Sequence, residues 1–425
     1  MKNKPAIASL FIANTVSGMA QGMSMIAIPW YFTTLAHQES LFGRIYAIVT
    51  LGALFWGLYS GTLVDKFDRK NIFLAENFMG TLVLFSVSAA GFWYGQVPIA
   101  LVALVFATTF YTYNIHYPAL YAFLQEITDR EDYGRVVSYI EIQGQITSAI
   151  AGAMAAILLQ GIPAGDINLL GWQINLPFSI PAWQLHHVFL LDGATYLLSF
   201  LLILPIKYTP TIHRHAEDGN AFQRLRVGFN YFQKRWVLFV FGNAALFVFV
   251  TTLVINMQVF PNFVKNDLHA NANVYAWAEV AFATGAIFAG VWVMRLFKHQ
   301  SQVLGNIVLA SISATCFAVL IVSRSIWVFY VLNLLLGWAN AGSRIMRTTY
   351  LFQHIPNQVS GRANSVFYVI NVLCRLALIY LFSFPFFIQQ VSYTFAVLSA
   401  WCLLAAAILM WYYKRLVKLK GDEIS

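Results

Sequence analysis

The sequence predicts an all-α polytopic membrane protein whose twelve transmembrane helices form two six-helix pseudo-repeats. Of its 425 residues, 59% are hydrophobic and only 10% are charged, whereas soluble domains carry roughly 25% charged residues. The apolar residues are grouped in runs of about 20 or more, which is long enough to cross roughly 30 Å of hydrocarbon. A water-soluble fold could not hide this much apolar surface and is therefore excluded.

Each apolar run gives one predicted helix, and the runs follow each other along the whole chain. We expect helices at roughly 6–34, 41–64, 71–94, 97–124, 136–160, 187–206, 237–262, 271–294, 302–322, 326–350, 363–386 and 391–413. The first run is longer than the 7–15 apolar residues of a cleaved signal peptide, so we expect it to remain as the first span.

The basic residues predict the orientation of these helices. The connections on one side of the membrane carry most of them, among them Lys66, Lys70, Arg130, Arg235, Arg295 and Arg347. The opposite connections hold little beyond Arg44, Lys265 and Arg324. Under the positive-inside rule, both termini are therefore expected in the cytoplasm. Since the basic residues are spread between spans, the net charge of +9 does not indicate a nucleic-acid partner.

The two halves of the chain share sequence markers at a nearly constant spacing. The clearest pairs are Pro29 with His37 and Pro261 with His269, and Gly134 with Arg135 and Gly361 with Arg362. Repeats of this kind are typical of secondary transporters. We therefore expect a six-helix bundle at 1–206, a cytoplasmic linker at 207–235 and a second six-helix bundle with a short tail at 236–425.

The stretch 161–186, between the fifth and sixth predicted helices, contains no Lys or Arg. Its short apolar alternation around Gly171 predicts an external β-hairpin. Such a hairpin could act as a lid over the external mouth or as a packing cap, and the sequence leaves both open.

The segment GTLVDKFDRK, from Gly61 to Lys70, resembles the signature loop of the major facilitator superfamily, G-x-L-x-D-[RK]-x-G-R-[RK]. Asp68 stands where that family usually has glycine. Because Asp tolerates left-handed geometry better than most residues, we expect the loop to keep this turn. Together with Pro118-Ala-Leu and QEITDREDYGR at 125–135, the chain resembles the macrolide-efflux and enterobactin-exporter branch of drug:proton antiporters in that superfamily.

The resemblance implies a cytoplasmic latch between the two halves. The latch candidates are Gly61, Asp65, Arg69, Glu126, Arg135 and Arg362. In this interpretation Asp65 docks near the start of the eleventh helix, around Gly361 and Arg362. The alternative is that these charges only fix the topology.

Ionisable side chains inside a span are costly, so each is a functional hypothesis. The candidates for proton coupling are Glu279, Arg375, Glu141 and His116. Glu279 and Arg375 lie at similar depth, which permits an ion pair that is either static or disturbed by protons or substrate. His116 can titrate near neutral pH or serve as a hydrogen-bonded packing residue. Asp192, near the start of the sixth helix, is expected to have a structural role.

The resemblance also implies that the first, fourth, seventh and tenth helices line a central cavity. The candidate substrate contacts there are Asn14, Ser17, Gln21, Tyr113, Asn114, Tyr117, Asn256, Asn333, Trp338 and Asn340. This mixture of polar and aromatic groups favours a bulky amphipathic or aromatic solute. For each polar residue, hydrogen bonding between helices is the alternative.

These patterns predict a secondary active transporter, not an enzyme. The chain contains no G-x-x-x-x-G-K-[ST] loop, no G-x-S-x-G elbow and no H-E-x-x-H pair, and we expect no cofactor or metal. The expected partners are a small-molecule substrate, protons or another coupling ion, and the lipid bilayer, with the protein acting as a monomer.

The resemblance adds a direction and a location to this prediction. It implies proton-coupled efflux of a hydrophobic or amphipathic compound, such as a drug or siderophore, across a bacterial inner membrane. An importer of a nutrient or siderophore is the first alternative, because the fold supports either direction. A receptor or assembly factor that does not transport is the second.

Overall fold

A computed structural model describes residues 4–128, 130–162, 165–169, 172–177, 179–207 and 221–419. Almost all of them are helical. The helices are α1 (Lys4–Thr34), α2 (Glu39–Lys66), α3 (Arg69–Tyr94), α4 (Ile99–Ile127), α5 (Arg130–Gln160), α6 (Leu185–Ile203), α7 (Ala221–Lys234), α8 (Trp236–Ala244), α9 (Phe247–Val254), α10 (Phe260–Asn266), α11 (Ala272–Leu296), α12 (Gln302–Val322), α13 (Ile326–His354), α14 (Asn357–Phe382), α15 (Pro385–Gln389), α16 (Val391–Trp411) and α17 (Tyr413–Val417). A π-helical segment, Ile255–Val259, joins α9 to α10.

Within the described residues, 11 helical segments are long and apolar enough to cross a membrane. The segment with the highest mean hydropathy, 2.3, is Trp236–Asn266, which combines α8, α9, the π-helical segment and α10. The helix α1 is 31 residues long but is not among the 11, and a row of polar side chains runs along its middle. The all-α polytopic fold is thus confirmed. The expected number of twelve spans is reached only if α1 also crosses the membrane.

Two strands, β1 (Gly165–Leu169) and β2 (Trp172–Leu176), form an antiparallel pair in the stretch between α5 and α6. The hairpin predicted for this stretch is therefore confirmed. An isolated bridge between Ile162 and Ile180 continues the pairing towards the two helices.

One compact unit of the chain consists of Met1–Gln38, Tyr59–Ala216 and His269–Val280. Here α6 packs along both α1 and α3. Small residues permit this close approach: a Cβ added at Gly80 of α3 would lie 2.6 Å from the ring of Tyr196 on α6. Glycine at helix contacts is common in membranes, where backbones must approach closely to gain packing energy. We call this part the first unit.

The second unit consists of Glu39–Leu58, Glu217–Leu268 and Ala281–Ser425. Its central packing is between α12, α13 and α16. An aromatic cluster fills part of its core, since Phe263 contacts both Phe329 and Phe395 through their rings. The expected boundaries of the two six-helix bundles and of the linker between them stay predictions.

The expected linker contains a helix, α7, which packs against α14. A Cβ added at Gly228 of α7 would lie 2.4 Å from the carbonyl oxygen of Arg362, so glycine is needed for this approach. Residues 208–220 of the linker lie outside the described part of the chain.

The histidines that mark the sequence repeat share a rare backbone conformation. His37 follows α1 with a φ of 50°, and His269 follows α10 with a φ of 49°. Among the described residues they are the only ones other than glycine with positive φ. A left-handed residue after a helix ends it by redirecting the chain. Both copies of the marker therefore end their helices in the same way.

Candidate functional site

Four helices of the first unit bring titratable and amide side chains together. His116 of α4 lies between Glu76 of α3 and Asn14 of α1. Its Nδ1 is 2.6 Å from Oε1 of Glu76, and its Nε2 is 2.8 Å from Oδ1 of Asn14. The amide of Asn14 in turn donates to Oε1 of Gln143 on α5, at 3.3 Å. We call Glu76, His116, Asn14 and Gln143 the imidazole cluster.

The hydrogen bonds fix where protons lie in this cluster. Gln143 donates its own amide to the carbonyl oxygen of Phe11 at 2.7 Å, which leaves its Oε1 to accept from Asn14. Oδ1 of Asn14 is then an acceptor, and Nε2 of His116 must donate to it. At 2.6 Å, Nδ1 of His116 and Oε1 of Glu76 must share a proton. The contact between this carboxyl and this imidazole is thus a hydrogen bond, with one proton between the two atoms.

This proton lies in a place that water does not reach freely. The side chain of Glu76 is 5% exposed and that of His116 is 18% exposed. Within the described residues, Oε2 of Glu76 has no hydrogen-bond partner. An ionised carboxylate inside a membrane span is costly, and such residues usually mark proton or substrate pathways. This buried acid–imidazole pair is therefore a candidate functional group of the first unit.

A second set of polar contacts follows α1 away from the imidazole cluster. Gln21 donates to the hydroxyl of Tyr196 on α6 at 2.9 Å, and Ser24 donates to Oδ2 of Asp192 at 2.6 Å. Asp192 is 0% exposed. Asn14, Ser17, Gln21 and Ser24 recur every three or four residues, so they share one face of the helix. That face carries the contacts to α4 and α6.

A small cavity lies beside His116, between α1, α3, α4 and α6. Its polar lining comes from Asn14, Ser17, Asn77, His116 and Ser199. Its volume is about 10 Å³, which is room for about one water molecule. This space suits a water that hydrogen-bonds the imidazole cluster, and it is far too small for an amphipathic solute.

The other expected substrate contacts of the first unit lie on α4. Tyr113 is 54% exposed, and its ring centroid is 4.9 Å from that of Tyr117. Tyr121 continues the row, with its ring centroid 6.4 Å from that of Tyr117. Asn114 donates to the carbonyl oxygen of Phe110 in its own helix. The structure thus brings the tyrosines into one row, whereas the amide of Asn114 is used locally.

The expected contacts of the second unit are not gathered into one cluster. Asn333 donates to the carbonyl oxygen of Phe329 in its own helix, and Asn340 is 6% exposed. Trp338 packs beside an apolar cluster of α11, α12 and α13. Asn256 lies in the π-helical segment, a feature that is frequent at functional sites. As substrate contacts, these residues stay predictions.

Glu279 and Arg375 belong to different units. Glu279 follows Tyr275 on α11 by about one helical turn, and the ring of Tyr275 stacks on Trp30 at 6.2 Å. Arg375 on α14 is 7% exposed. The expected ion pair between Glu279 and Arg375 stays a prediction.

Much of the expected latch lies outside what the structure describes. The side chains of Asp65, Glu126, Arg135 and Glu141, and the surroundings of Gly61, are not among the described features. Arg69 and Arg362 are half-buried at the starts of α3 and α14. The latch therefore stays a prediction.

The expected left-handed turn at Asp68 is wrong. Its φ is −62° and its ψ is 128°, and its side chain accepts a hydrogen bond from the backbone N–H of Lys70 at 2.8 Å. Asp68 is thus the N-cap of α3, a position that Asp favours. The ammonium group of Lys70 donates to the carbonyl oxygens of Leu204 and Ile206 at 2.7 and 2.8 Å. These bonds tie the loop to the end of α6.

Sequence reasoning missed Glu76, which is the partner of His116. The signal was present, because Glu76 is an ionisable residue about two turns inside an apolar helix, and the rule applied to other spans covers it. Gln143 was also missed, and no pattern in the sequence distinguishes it from other helical glutamines.

Comparison with known proteins identifies relatives over most of the chain. The family model described as Major Facilitator Superfamily matches residues 10–373. The chain is 24% identical over 395 residues to the enterobactin exporter EntS of Salmonella typhi. This alignment covers 88% of this chain and 83% of that protein. The chain is 22% identical over 395 residues, with the same coverage, to the enterobactin exporter EntS of Escherichia coli O81.

Solved structures of transporters share the fold. The nucleoside transporter NupG superimposes with a TM-score of 0.68 at 15% identity, covering 98% of this chain and 100% of that chain. The inward-open xylose transporter XylE from E. coli gives a TM-score of 0.67 at 13% identity, covering 96% of each chain. Since the family model spans most of the sequence, this integral membrane protein is a transporter that belongs to the major facilitator superfamily.

Proposed function

We propose that this chain exports a bulky amphipathic compound of the siderophore type and that the exchanged ion is a proton. The observation that carries the proposal is the 2.6 Å contact between Nδ1 of His116 and Oε1 of Glu76 inside the membrane-spanning part of the first unit. The relatives named enterobactin exporters support the substrate class and the direction. The protein acts in a bacterial inner membrane with both termini in the cytoplasm, as its basic connections favour.

The proton changes the contacts of three helices. With the proton present, Glu76 and His116 attract each other, and His116 also donates to Asn14. Without it, a carboxylate oxygen faces the lone pair of Nδ1, and the two atoms repel each other. Loss of the proton therefore weakens the link between α3 and α4 and loosens the hold on α1. A proton gradient can bias the transporter between two states in this way.

The row of tyrosines on α4 is the surface of the first unit that best fits the proposed substrate. Tyr113 and Tyr117 present adjacent rings, and Tyr113 is more than half exposed. Aromatic side chains supply large contact areas with a polar end, which suits catechol-like rings. His116 lies on the same helix, and its ring centroid is 5.6 Å from that of Tyr117. Substrate binding and proton release can therefore act on the same helix turn.

The test uses purified protein in sealed vesicles and radiolabelled enterobactin as the probe. Two activities are compared: exchange of labelled for unlabelled probe without a gradient, and accumulation driven by a pH gradient. The variant is Glu76→Gln. The matched control is Glu39→Gln, because Glu39 also pairs with a cation, Lys265 at 3.3 Å, but lies at the start of α2.

We expect Glu76→Gln to retain exchange within about threefold and to lose gradient-driven accumulation by about tenfold or more, about 1.4 kcal/mol of coupling. Glu39→Gln should retain both. Gradient-driven accumulation that survives in Glu76→Gln would contradict a coupling role for the pair. Accumulation only when the probe and the protons enter together would indicate import instead of export.

A further inference from the structure

Asp192 is a carboxyl group in the middle of helix α6 that the proposed coupling does not use. It is 0% exposed, and it lies where α6 packs against α1 and α3. Its Oδ2 accepts a hydrogen bond from Ser24 at 2.6 Å. Within the described residues, its Oδ1 has no hydrogen-bond partner, and no Lys, Arg or His pairs with it.

A buried carboxylate with one neutral partner is poorly stabilised in hydrocarbon. A buried charge normally needs an opposite charge or several hydrogen bonds, and otherwise the group takes up a proton and becomes neutral. In the protonated form, Asp192 carries its hydrogen on Oδ1, the oxygen without a partner, and still accepts from Ser24 at Oδ2. The surroundings therefore fit a carboxylic acid better than a carboxylate.

The polar contacts of Asp192 and those of the imidazole cluster start from the same helix, α1. Ser24 of α1 donates to Asp192, and Gln21 of α1 donates to the hydroxyl of Tyr196, which lies on the same helix as Asp192. Asn14 of α1 accepts from His116 of α4, which lies 2.6 Å from Glu76 of α3. Besides Asp192, the titratable groups that the neighbouring helices contribute to these contacts are Tyr196, Glu76 and His116.

We propose that Asp192 is a second proton-binding site of this transporter, separate from the His116–Glu76 pair. The two sites lie along the same face of α1, because Asn14 serves one and Ser24 the other. Ten residues separate them in sequence, a rise of about 15 Å along the helix. A role of Asp192 in transport rests on the proposed function, whereas proton binding by Asp192 does not.

A purely structural Asp192 makes a different prediction. A structural carboxylate stays ionised and serves only as an acceptor for Ser24, so it neither gains nor loses a proton over the working range of pH. A proton-binding carboxyl titrates. Infrared spectroscopy separates the two cases, because a protonated carboxyl has a carbonyl stretch that a carboxylate lacks.

The experiment records pH-difference infrared spectra of the purified full chain between about pH 5 and about pH 9, a range that spans ordinary and strongly shifted carboxyls. The probe is the proton itself, and no substrate is added. The variants are Asp192→Asn, Glu76→Gln and Ser24→Ala. We expect wild type to show a titrating carbonyl band that disappears in Asp192→Asn and remains in Glu76→Gln. The Ser24→Ala variant should keep this band at a changed frequency, since the carboxyl has lost its hydrogen bond.

A difference spectrum that is the same in wild type and in Asp192→Asn overturns the inference. If Asp192→Asn does not fold, Ser24→Ala decides, because it removes a single hydroxyl: a titrating band of unchanged frequency overturns the inference, and a moved band supports it. These outcomes are independent of transport. If the vesicle experiment fails while the band is lost in Asp192→Asn, proton-coupled export is wrong and the proton site stands.

Discussion

The two units differ in the kind of charge that they bury. The first unit holds two carboxyl groups and an imidazole inside its helices, those of Glu76, Asp192 and His116. In the second unit two arginines lie inside spans, Arg347 part-buried and Arg375 buried, and arginine keeps its charge at any physiological pH. The sequence sharpens this contrast, because no acidic residue occurs between Glu279 and Asp422.

The acid-free part of the chain limits where a carboxyl inside a span can bind a proton. Between Glu279 and Asp422 there is no carboxyl, so a proton-binding carboxyl of the spans must lie in the earlier part of the chain. A buried contact of the second unit is instead neutral, since Ser343 donates to Oδ1 of Asn306 at 2.7 Å. We therefore propose that the first unit carries the groups that change their charge.

The largest expected effect comes from a substitution that breaks the imidazole cluster of the first unit. His116→Ala leaves Glu76 buried without its partner, and removing one member of a buried pair costs roughly 3–5 kcal/mol. The loss should be greatest at alkaline pH, where Glu76 is driven to ionise, and smallest at acid pH, where it takes a proton. Thermal unfolding in detergent across this pH range measures it. A loss that does not vary with pH would mean that Glu76 never ionises.

A double-mutant cycle gives the control for that result. Glu76→Gln combined with His116→Ala should cost less than the sum of the two single changes, since the second change removes the stranded acid. Additive losses would show that the two side chains do not interact, contrary to their 2.6 Å contact.

An intermediate effect is expected from Arg347 of the second unit. Its Nε donates to the carbonyl oxygen of Gly242 at 2.8 Å, and its guanidinium lies over the ring of Phe367 at 4.8 Å. Arg347→Lys keeps the charge but loses the planar group, at a cost of roughly 1.5–3 kcal/mol for a charged hydrogen bond. The unfolding temperature of this variant should fall by the same amount at acid and alkaline pH. A pH-dependent shift would weaken the contrast between the units.

The smallest effect concerns the neutral contacts of the second unit. Ser343→Ala leaves Oδ1 of Asn306 without its donor, which costs roughly 1–2 kcal/mol. Ser313→Ala is the matched control, because the hydroxyl of Ser313 is also buried but bonds only to Leu309 of its own helix. We expect the control to unfold within about 0.5 kcal/mol of wild type. Equal losses in the two variants would show that the contact between helices contributes nothing.

Most of the fold could be predicted because span length and charge placement are local properties of the sequence. The hairpin between α5 and α6 and the common helix ends at His37 and His269 also follow from local patterns. The local geometry at Asp68 was wrong because a capping aspartate and a left-handed one look alike in sequence. The helix α7 within the expected linker was not predicted, although apolar residues recur along it at helical spacing, as in Phe222, Leu225, Phe229 and Phe232.

The site was less predictable because its contacts join distant parts of the chain. His116 was found as an ionisable residue in a span, but its partner Glu76 lies 40 residues away and Asn14 lies 102 away. A single sequence does not show which faces of two helices meet. For Asn14 and Gln21 the sequence leaves open both substrate contact and hydrogen bonding between helices, and the structure shows hydrogen bonds to His116 and Tyr196.

Proton release on substrate binding tests most directly the claim that the first unit carries the exchanged proton. Purified wild-type protein in weakly buffered detergent solution would receive saturating enterobactin while the pH is recorded, with Glu76→Gln measured beside it. We predict that the wild type releases protons and that Glu76→Gln binds the probe without releasing them. Equal proton release from both proteins would contradict the account.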